Sequence, residues 1–397
     1  MTDWPNSGGP GPHPDPTRVM PTTQRGGHGG GHGGRADYDS GYNTGQVYAG
    51  SGYGGPGRRG VVHGDPGYGG ASTVDWGRRI KVGLITLLVV VLVWSVGTYF
   101  WADSKLRREV DLSTVVDRPE KGEGTTYLIV GSDSREGLSG EERKKLHTGS
   151  AEGKRTDSMI LLHVGPEGNT MISLPRDSWV TIPEFRGSES GKTFPSPGAR
   201  KLNASYSMDG AALLVRTVEY NTGLRIDHYA EIGFGGFAKI VDAVGGVEMD
   251  IPRDIKDKNS GADFKKGRQT LDGAEALAFV RNRYEAGSDL ERTKNQQKFL
   301  SALANQTATP STILNPFRLY PTLGAGLDTL IVDKDMGLFD LASMFWAMKG
   351  ISGGEGTSMN MPIAGSAPQG SLRWDMPKVK QLVEQLKNGE KVTVRGD

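Results

Sequence analysis

The sequence predicts an α/β fold, layered as α/β/α or as α+β, set behind a single transmembrane helix and a disordered N-terminal tail. After residue 125, short apolar runs alternate with stretches of helical spacing. Ahead of them stands one uncharged run of 20 residues, and 22 of the 59 glycines crowd into the first 76.

The tail, residues 1–76, has no hydrophobic periodicity and repeats Gly with His28, His32, Tyr42, Tyr53 and Tyr68. With so little apolar surface to bury it stays solvated, and its four histidines read as polar filler rather than as a metal site. The chain carries a net charge of +1, and the tail supplies five Arg against six Asp, so the rest is nearly neutral. A nucleic-acid binder is far more basic. The absence of Cys excludes thiol nucleophiles, thiolate metal sites and disulfides. Only His147, His163 and His228 lie outside the tail, and no strand-turn-helix Gly-x-Ser-x-Gly supports a Ser-His-Asp enzyme.

Val82 to Trp101 is long enough as a helix to cross about 30 Å of hydrocarbon, so residues 80–101 are predicted to span a membrane. Trp76 on one side and Tyr99, Phe100 and Trp101 on the other fit the two interfaces. Arg78, Arg79 and Lys81 before the run balance Lys105, Arg107 and Arg108 after it, so charge alone gives no orientation. Residues 102–124 read as a polar stalk, and 125–389 as the folded domain.

Within the domain Tyr127–Val130, Met159–Val164, Met171–Leu174 and Val247–Ile251 are predicted strands. Ala211, Leu214, Val215 and Val218 repeat at helical spacing before Gly223; Phe237, Ile240, Val241 and Val244 do so before Gly245 and Gly246. The chemistry gathers where strands end. Gly131 to Arg135 follow the first strand, Arg155 to Ser158 directly precede the second, and Pro175, Arg176 and Asp177 terminate the third. Guanidinium forks with carboxylates that hold a divalent cation are what a pyrophosphate needs, although a structural ion-pair network has the same composition. Farther on, Ala274–Val280 runs helically into Arg281, Asn282 and Arg283. A second helix then begins near Asp289, where Asp289, Arg292 and Gln296 share one face. That face continues through Leu300 and Leu303, so it is expected to turn inward. Gly233 to Gly236 lack the full nucleotide fingerprint and read as a tight turn; the terminal Arg-Gly-Asp is taken as chance.

In this order, the stretches Leu128–Arg135, Arg155–Ser158, Ser173–Asp177, Lys201–Tyr206, Ile226–Tyr229 with Phe237–Val247, and Leu271–Gln297 resemble the LytR-CpsA-Psr proteins of bacterial cell envelopes. The likeness covers about Thr125 to Gln306. It implies an extracytoplasmic phosphotransferase that moves a glycopolymer from an undecaprenyl pyrophosphate carrier onto peptidoglycan, with the N-terminus in the cytoplasm. By resemblance Asp133 and Asp157 would hold Mg2+, or Mn2+. Arg176, Arg281, Arg283 and Arg292 would act on the pyrophosphate, and Arg135, Arg155, Asp177, Lys201, Asn203 and Gln296 would complete its site. Asp289, then Asp177, is the candidate base for the acceptor hydroxyl. The carrier's tail would need an apolar tunnel, with the helix of Phe237, Ile240, Val241 and Val244 as a candidate wall. A lipid pyrophosphate hydrolase and a non-catalytic polyprenyl phosphate binder are the alternatives. DNA is not an expected partner, since no helix-turn-helix is present and the Arg cluster would lie across the membrane.

Overall fold

The computed structural model describes residues 75–135, 138–148, 155–282, 289–307, 309, 312 and 315–396, with side chains between 289 and 307 described from 295 onward. The expected tail lies outside these residues except for its last two.

Helix α1 (Trp76–Asp103) begins where the Asp75 carboxylate accepts the Arg78 N–H at 3.1 Å. From Val82 to Trp101 it carries no charge on any side, and the hydroxyls of Ser95 and Thr98 return to the Val91 and Trp94 carbonyls, each at 2.8 Å. Those two hydroxyls therefore need no water partner. Its length and composition suffice to cross a membrane.

The segment expected to be a stalk is part of the domain. Three residues after α1, strand β1 (Arg107–Val110) pairs in parallel with β6 (Leu330–Asp333) at the edge of a seven-stranded sheet. The charges that gave this segment its stalk-like look are paired internally. Arg118 meets the buried Glu219 at 2.7 Å, Arg108 meets Asp103, and Leu106, Leu112 and Val115 supply the apolar anchors.

The remaining strands are β2 (Thr125–Ser132), β3 (Thr156–Gly165), β4 (Gly168–Leu174), β5 (His228–Ile232) and β7 (Gly356–Asn360), arranged β1-β6-β5-β2-β3-β4-β7. The sheet is mixed: β2, β3 and β4 run as an antiparallel meander, while β2 with β5 and β4 with β7 are parallel. Helices follow as α2 (Gly140–Lys145), α3 (Leu202–Thr222), α4 (Phe234–Ala243), α5 (Gly273–Arg281), α6 (Asp289–Thr307), α7 (Pro316–Thr329), α8 (Leu338–Ser352) and α9 (Met376–Lys387). Gly223 ends α3 in the left-handed region at φ 72°, as its position predicted.

Strand alternation divides the core into two layers. Leu128, Val130, Leu161 and Ile172 pack with Leu214 and Val218 of α3 and Val379 and Leu382 of α9. Tyr127, Ile160, Leu162 and Met171 point the other way, against Leu327 of α7 and Met344 and Ala347 of α8. The architecture is therefore α/β/α. Val247–Ile251 is a strand as predicted, but it pairs with Gly267–Leu271 in a separate two-stranded sheet. Its strict alternation of buried and exposed residues suits a ribbon covered on one side only.

At the sheet end away from the strand-end charges, the fully buried Asp333 accepts the Tyr229 N–H at 2.8 Å and faces the His228 ring at 3.3 Å. Burial, the largest single influence, would push the His228 imidazole down, but the Asp333 hydrogen bond and charge together with the charges of Asp340 and Asp227 hold it above normal. The imidazolium then contributes stability that is fully present below the unfolded value near 6.5 and is lost as pH rises through the raised folded value. Urea denaturation of the wild type and of His228→Gln at pH 5.5 and 8.5 checks this. The wild type's advantage should shrink at the higher pH, and an advantage that grows with pH would show the ring to be held neutral.

Candidate functional site

The meander puts three strand ends on one edge. Asp133 leaves β2 with its N–H donating to the Arg155 carbonyl at 2.9 Å and its carboxylate accepting the Arg155 N–H at 2.7 Å, which closes the β2–β3 pair. Asp157 is the second residue of β3, and Pro175 turns the chain so that Arg176 and Asp177 follow β4. Arg176 pairs with Asp157 at 2.7 Å and with Asp177 at 3.3 Å, and Lys201 meets the second Asp177 oxygen at 2.7 Å. The Asn203 N–H donates to the Arg176 carbonyl at 3.1 Å and fixes the backbone there. Four alternating charges thus form one half-buried chain.

Beside this chain a cavity of about 520 Å³ enters the domain. Its polar rim includes Asp133, Arg135, Asp157, Ser158, Arg281 and Gln296. Its wall is apolar, with Ile129 and Ile160 from the sheet, Phe234 and Phe237 from α4, Leu277 from α5 and Leu300 from α6. Of the four residues expected to wall a tunnel, Phe237 does so, whereas Val241 is buried in the core cluster behind it.

Two rim arginines also brace the loop after α2. Arg135 donates through Nε and Nη2 to the Thr148 carbonyl at 2.9 and 2.8 Å. Arg281 donates to the carbonyls of Leu146 and His147 at 3.1 and 3.2 Å, with its guanidinium 4.7 Å over the Phe234 ring. His147 sits at φ 49°, an unusual conformation for a residue with a β-carbon, and its carbonyl is one that Arg281 holds. α5 reaches this place because it starts at an Asp272–Glu275 capping box and lies directly on α4. A Cβ on Gly273 would stand 2.3 Å from the Ala238 carbonyl.

The inward face predicted for α6 holds where it is described. Gln296 accepts the Ser158 hydroxyl at 2.9 Å and donates to the Val280 carbonyl at 3.2 Å, and Leu300 lies one turn on in the cavity wall. The side chains of Asp289 and Arg292, and all of Arg283, lie outside the described residues. Asp133, Arg135, Asp157, Arg281 and Gln296 line the cavity, while Arg176, Asp177 and Lys201 reach it through Asp157. Arg155 is exposed and touches Asp133 through its backbone, and Asn203 does not line the cavity.

Two features escaped the sequence reading. Asp257, Asn259 and Ser260 reach the cavity from a turn whose Asp-Lys-Asn-Ser-Gly sequence resembles any surface turn. Glu231, on β5 beside the lining residue Ile232, is buried and accepts the hydroxyls of Tyr206 and Tyr229 at 2.6 and 2.7 Å. Burial first, then the Glu231 charge, push both tyrosines well above their usual range, so both remain donors. Only the alternation of β5, which turns Glu231 inward, carried a signal of this.

A family model described as the LytR_cpsA_psr family matches residues 98–388. A probable cell wall biosynthesis protein of Corynebacterium glutamicum (LcpB) is 43% identical over 273 residues, 68% of this chain and 61% of its own length. A polyisoprenyl-teichoic acid–peptidoglycan teichoic acid transferase of Bacillus cereus (TagU) is 34% identical over 214 residues, 53% of this chain and 59% of its own. The chain thus spans about three fifths of the length of these two relatives. Among solved structures, a LytR-Csp2A-Psr enzyme from Actinomyces oris superposes with a TM-score of 0.52 at 22% identity, over 71% of this chain and 96% of that one. At that identity the likeness speaks for the fold alone.

Arg281→Lys keeps the charge but replaces a fork that spans two carbonyls by a single nitrogen. Losing about 1 kcal/mol of hydrogen bonding should speed amide exchange at Leu146, His147 and Thr148 roughly five- to tenfold. Unchanged exchange at these amides would remove Arg281 as the brace of the loop.

Proposed function

The chain belongs to the LytR_cpsA_psr family, and on that premise we propose that it transfers a glycopolymer, with one phosphate, from an undecaprenyl pyrophosphate carrier to a peptidoglycan hydroxyl. The observation that carries this reading is the cavity itself, whose apolar wall passes directly into a rim of Arg and Asp. Such a shape fits an amphiphile with a polyprenyl chain and a doubly charged head. The relatives named for teichoic acid transfer to peptidoglycan support the same reaction class. In this reading α1 crosses the cell membrane with the tail in the cytoplasm and the domain outside, where the acceptor is.

In the reaction the acceptor oxygen attacks the phosphorus that bears the polymer. The bond from that phosphorus to the bridging oxygen breaks, a phosphodiester forms, and undecaprenyl phosphate leaves with the bridging electrons. The hydroxyl proton passes to a base, for which Asp289 remains the candidate. Little covalent chemistry is left to the protein, so charge and positioning carry the rate. Arg135 and Arg281 on the rim, with Arg176 beside Asp157, would pair with phosphate oxygens.

Two carboxylates, Asp133 and Asp157, line the same cavity, which suits Mg2+ because that ion is commonly held by one or two carboxylates plus substrate phosphates. Among the described residues no group of three or more His, Asp or Glu gathers to hold a metal without substrate. Bound there, Mg2+ or Mn2+ would offset the negative charge that builds on the leaving phosphate. Asp157 in addition orients Arg176, so its loss would disturb two contributions together.

The test incubates the full chain in lipid vesicles with polymer-linked undecaprenyl pyrophosphate, Mg2+ and peptidoglycan fragments. Polymer joined to the fragments is the expected result, with loss of activity in EDTA and a fall of about a hundredfold in kcat/KM for Asp157→Asn. Free phosphorylated polymer would make the protein a hydrolase, and retained lipid without turnover a binder.

A further inference from the structure

Tyr320, in the second turn of α7, ties the domain to the flank of α1. Its hydroxyl shares a hydrogen bond with Thr98 at 2.6 Å, and its ring meets Trp101 and Trp94 edge-on, with centroids 5.0 and 6.5 Å away. Trp94 lies about 10 Å back along α1 from Trp101, so α7 grips the last two turns of the apolar run and not its end alone.

The surface next to this grip is apolar where a water-facing surface would be polar. Phe317, one turn before Tyr320, is 89% exposed. At the start of α8, Phe339 is 78% exposed and its ring lies 5.8 Å from that of Tyr99 on α1. Phe339, Ala342 and Trp346 fall at i, i+3 and i+7, all three exposed, so the outward stripe of α8 is apolar while Met344, Ala347 and Ile351 bury its other side against the sheet. Cations flank the aromatics: Arg318 follows Phe317 at the surface, and the Lys349 ammonium stands 5.1 Å over the Trp346 ring.

We propose that the first turn of α7 and the Phe339–Trp346 stripe of α8 are seated in the interfacial layer of the bilayer that α1 crosses. The α7/α8 layer of the domain is then its membrane-facing side. Aromatic rings beside Arg and Lys are the side chains that settle at the headgroup level. Continuity with α1 selects lipid as the occupant, because Tyr320 and Phe339 are already in contact with the membrane helix. The inference rests on the reading of α1 as a membrane span. It also gives the cavity a direction. Ile160 and Leu300 of its wall belong to the same apolar cluster as Trp101 and Leu323, so the wall is continuous with the side that meets the lipid.

The chain has no cysteine, so a single introduced one carries a unique nitroxide label. Phe317→Cys, Phe339→Cys and Trp346→Cys sit at exposed positions. Val91→Cys within α1 tests the span, and Lys380→Cys, exposed on α9 across the sheet, serves as the water reference. Each full-length variant is placed in phosphatidylcholine–phosphatidylglycerol vesicles, and collision with dissolved oxygen is compared with collision with a water-soluble nickel chelate. The expected result is a shift toward oxygen at 317, 339 and 346 in the direction of Val91→Cys, with Lys380→Cys remaining accessible to nickel. Nickel access at 317, 339 and 346 with oxygen access at 91 would overturn the docking surface and leave the span intact. Nickel access at 91 would overturn both.

Discussion

Four charged side chains half-buried at one sheet edge are tolerable only if they satisfy one another, and much of the site follows from how they do so. Lys201, Asp177, Arg176 and Asp157 alternate in sign along a chain of contacts from 2.7 to 3.3 Å. Each charge removed would leave a neighbour partly desolvated and unpaired, which costs more than the pair contributes. The register of the β2–β3–β4 meander sets the spacing. Moving β3 by one residue would turn Asp157 to the other face of the sheet and detach Arg176 from it. The chain of charges and the apolar alternation therefore enforce the same register.

That dependence explains why the strand-end motifs were legible in the sequence. An Asp or Arg after an apolar run of four to six residues has to sit at a sheet edge, and three such runs in an antiparallel meander must share edges in pairs. Gln296 and Leu300 were legible for a similar reason, since a polar residue in register with apolar ones on a helix has to face inward with them. β1 was not legible: four residues carrying three charges do not look like a strand, and only their pairing partners, distant in sequence, make them one. The turn with Asp257 and Ser260 escaped for the opposite reason, because nothing in a polar turn tells which way it folds. Glu231 was hidden by its own burial, as a single carboxylate in a strand predicts an outward side chain unless two tyrosines await it.

Physical reasoning supplies a cavity with an apolar wall, a charged rim and a brace of two arginines on one loop. Family membership turns that rim from a salt-bridge network into a proposed pyrophosphate site. Of the residues that the resemblance implies, Arg155 and Asn203 stand off the cavity wall, as do Arg176, Asp177 and Lys201, which join it through Asp157.

The junction between α1 and the sheet has a mechanical side. Only Ser104, Lys105 and Leu106 separate the end of the helix from β1, and the contact of Tyr320 with Thr98 bypasses even those. With no slack in the connection, tension on anything the domain holds travels through the short β1–β6 ladder and the Tyr320 contact into the helix. The ion pairs Lys105–Asp328, Asp111–Lys334 and Arg118–Glu219 share that load along the segment between the helix and β2.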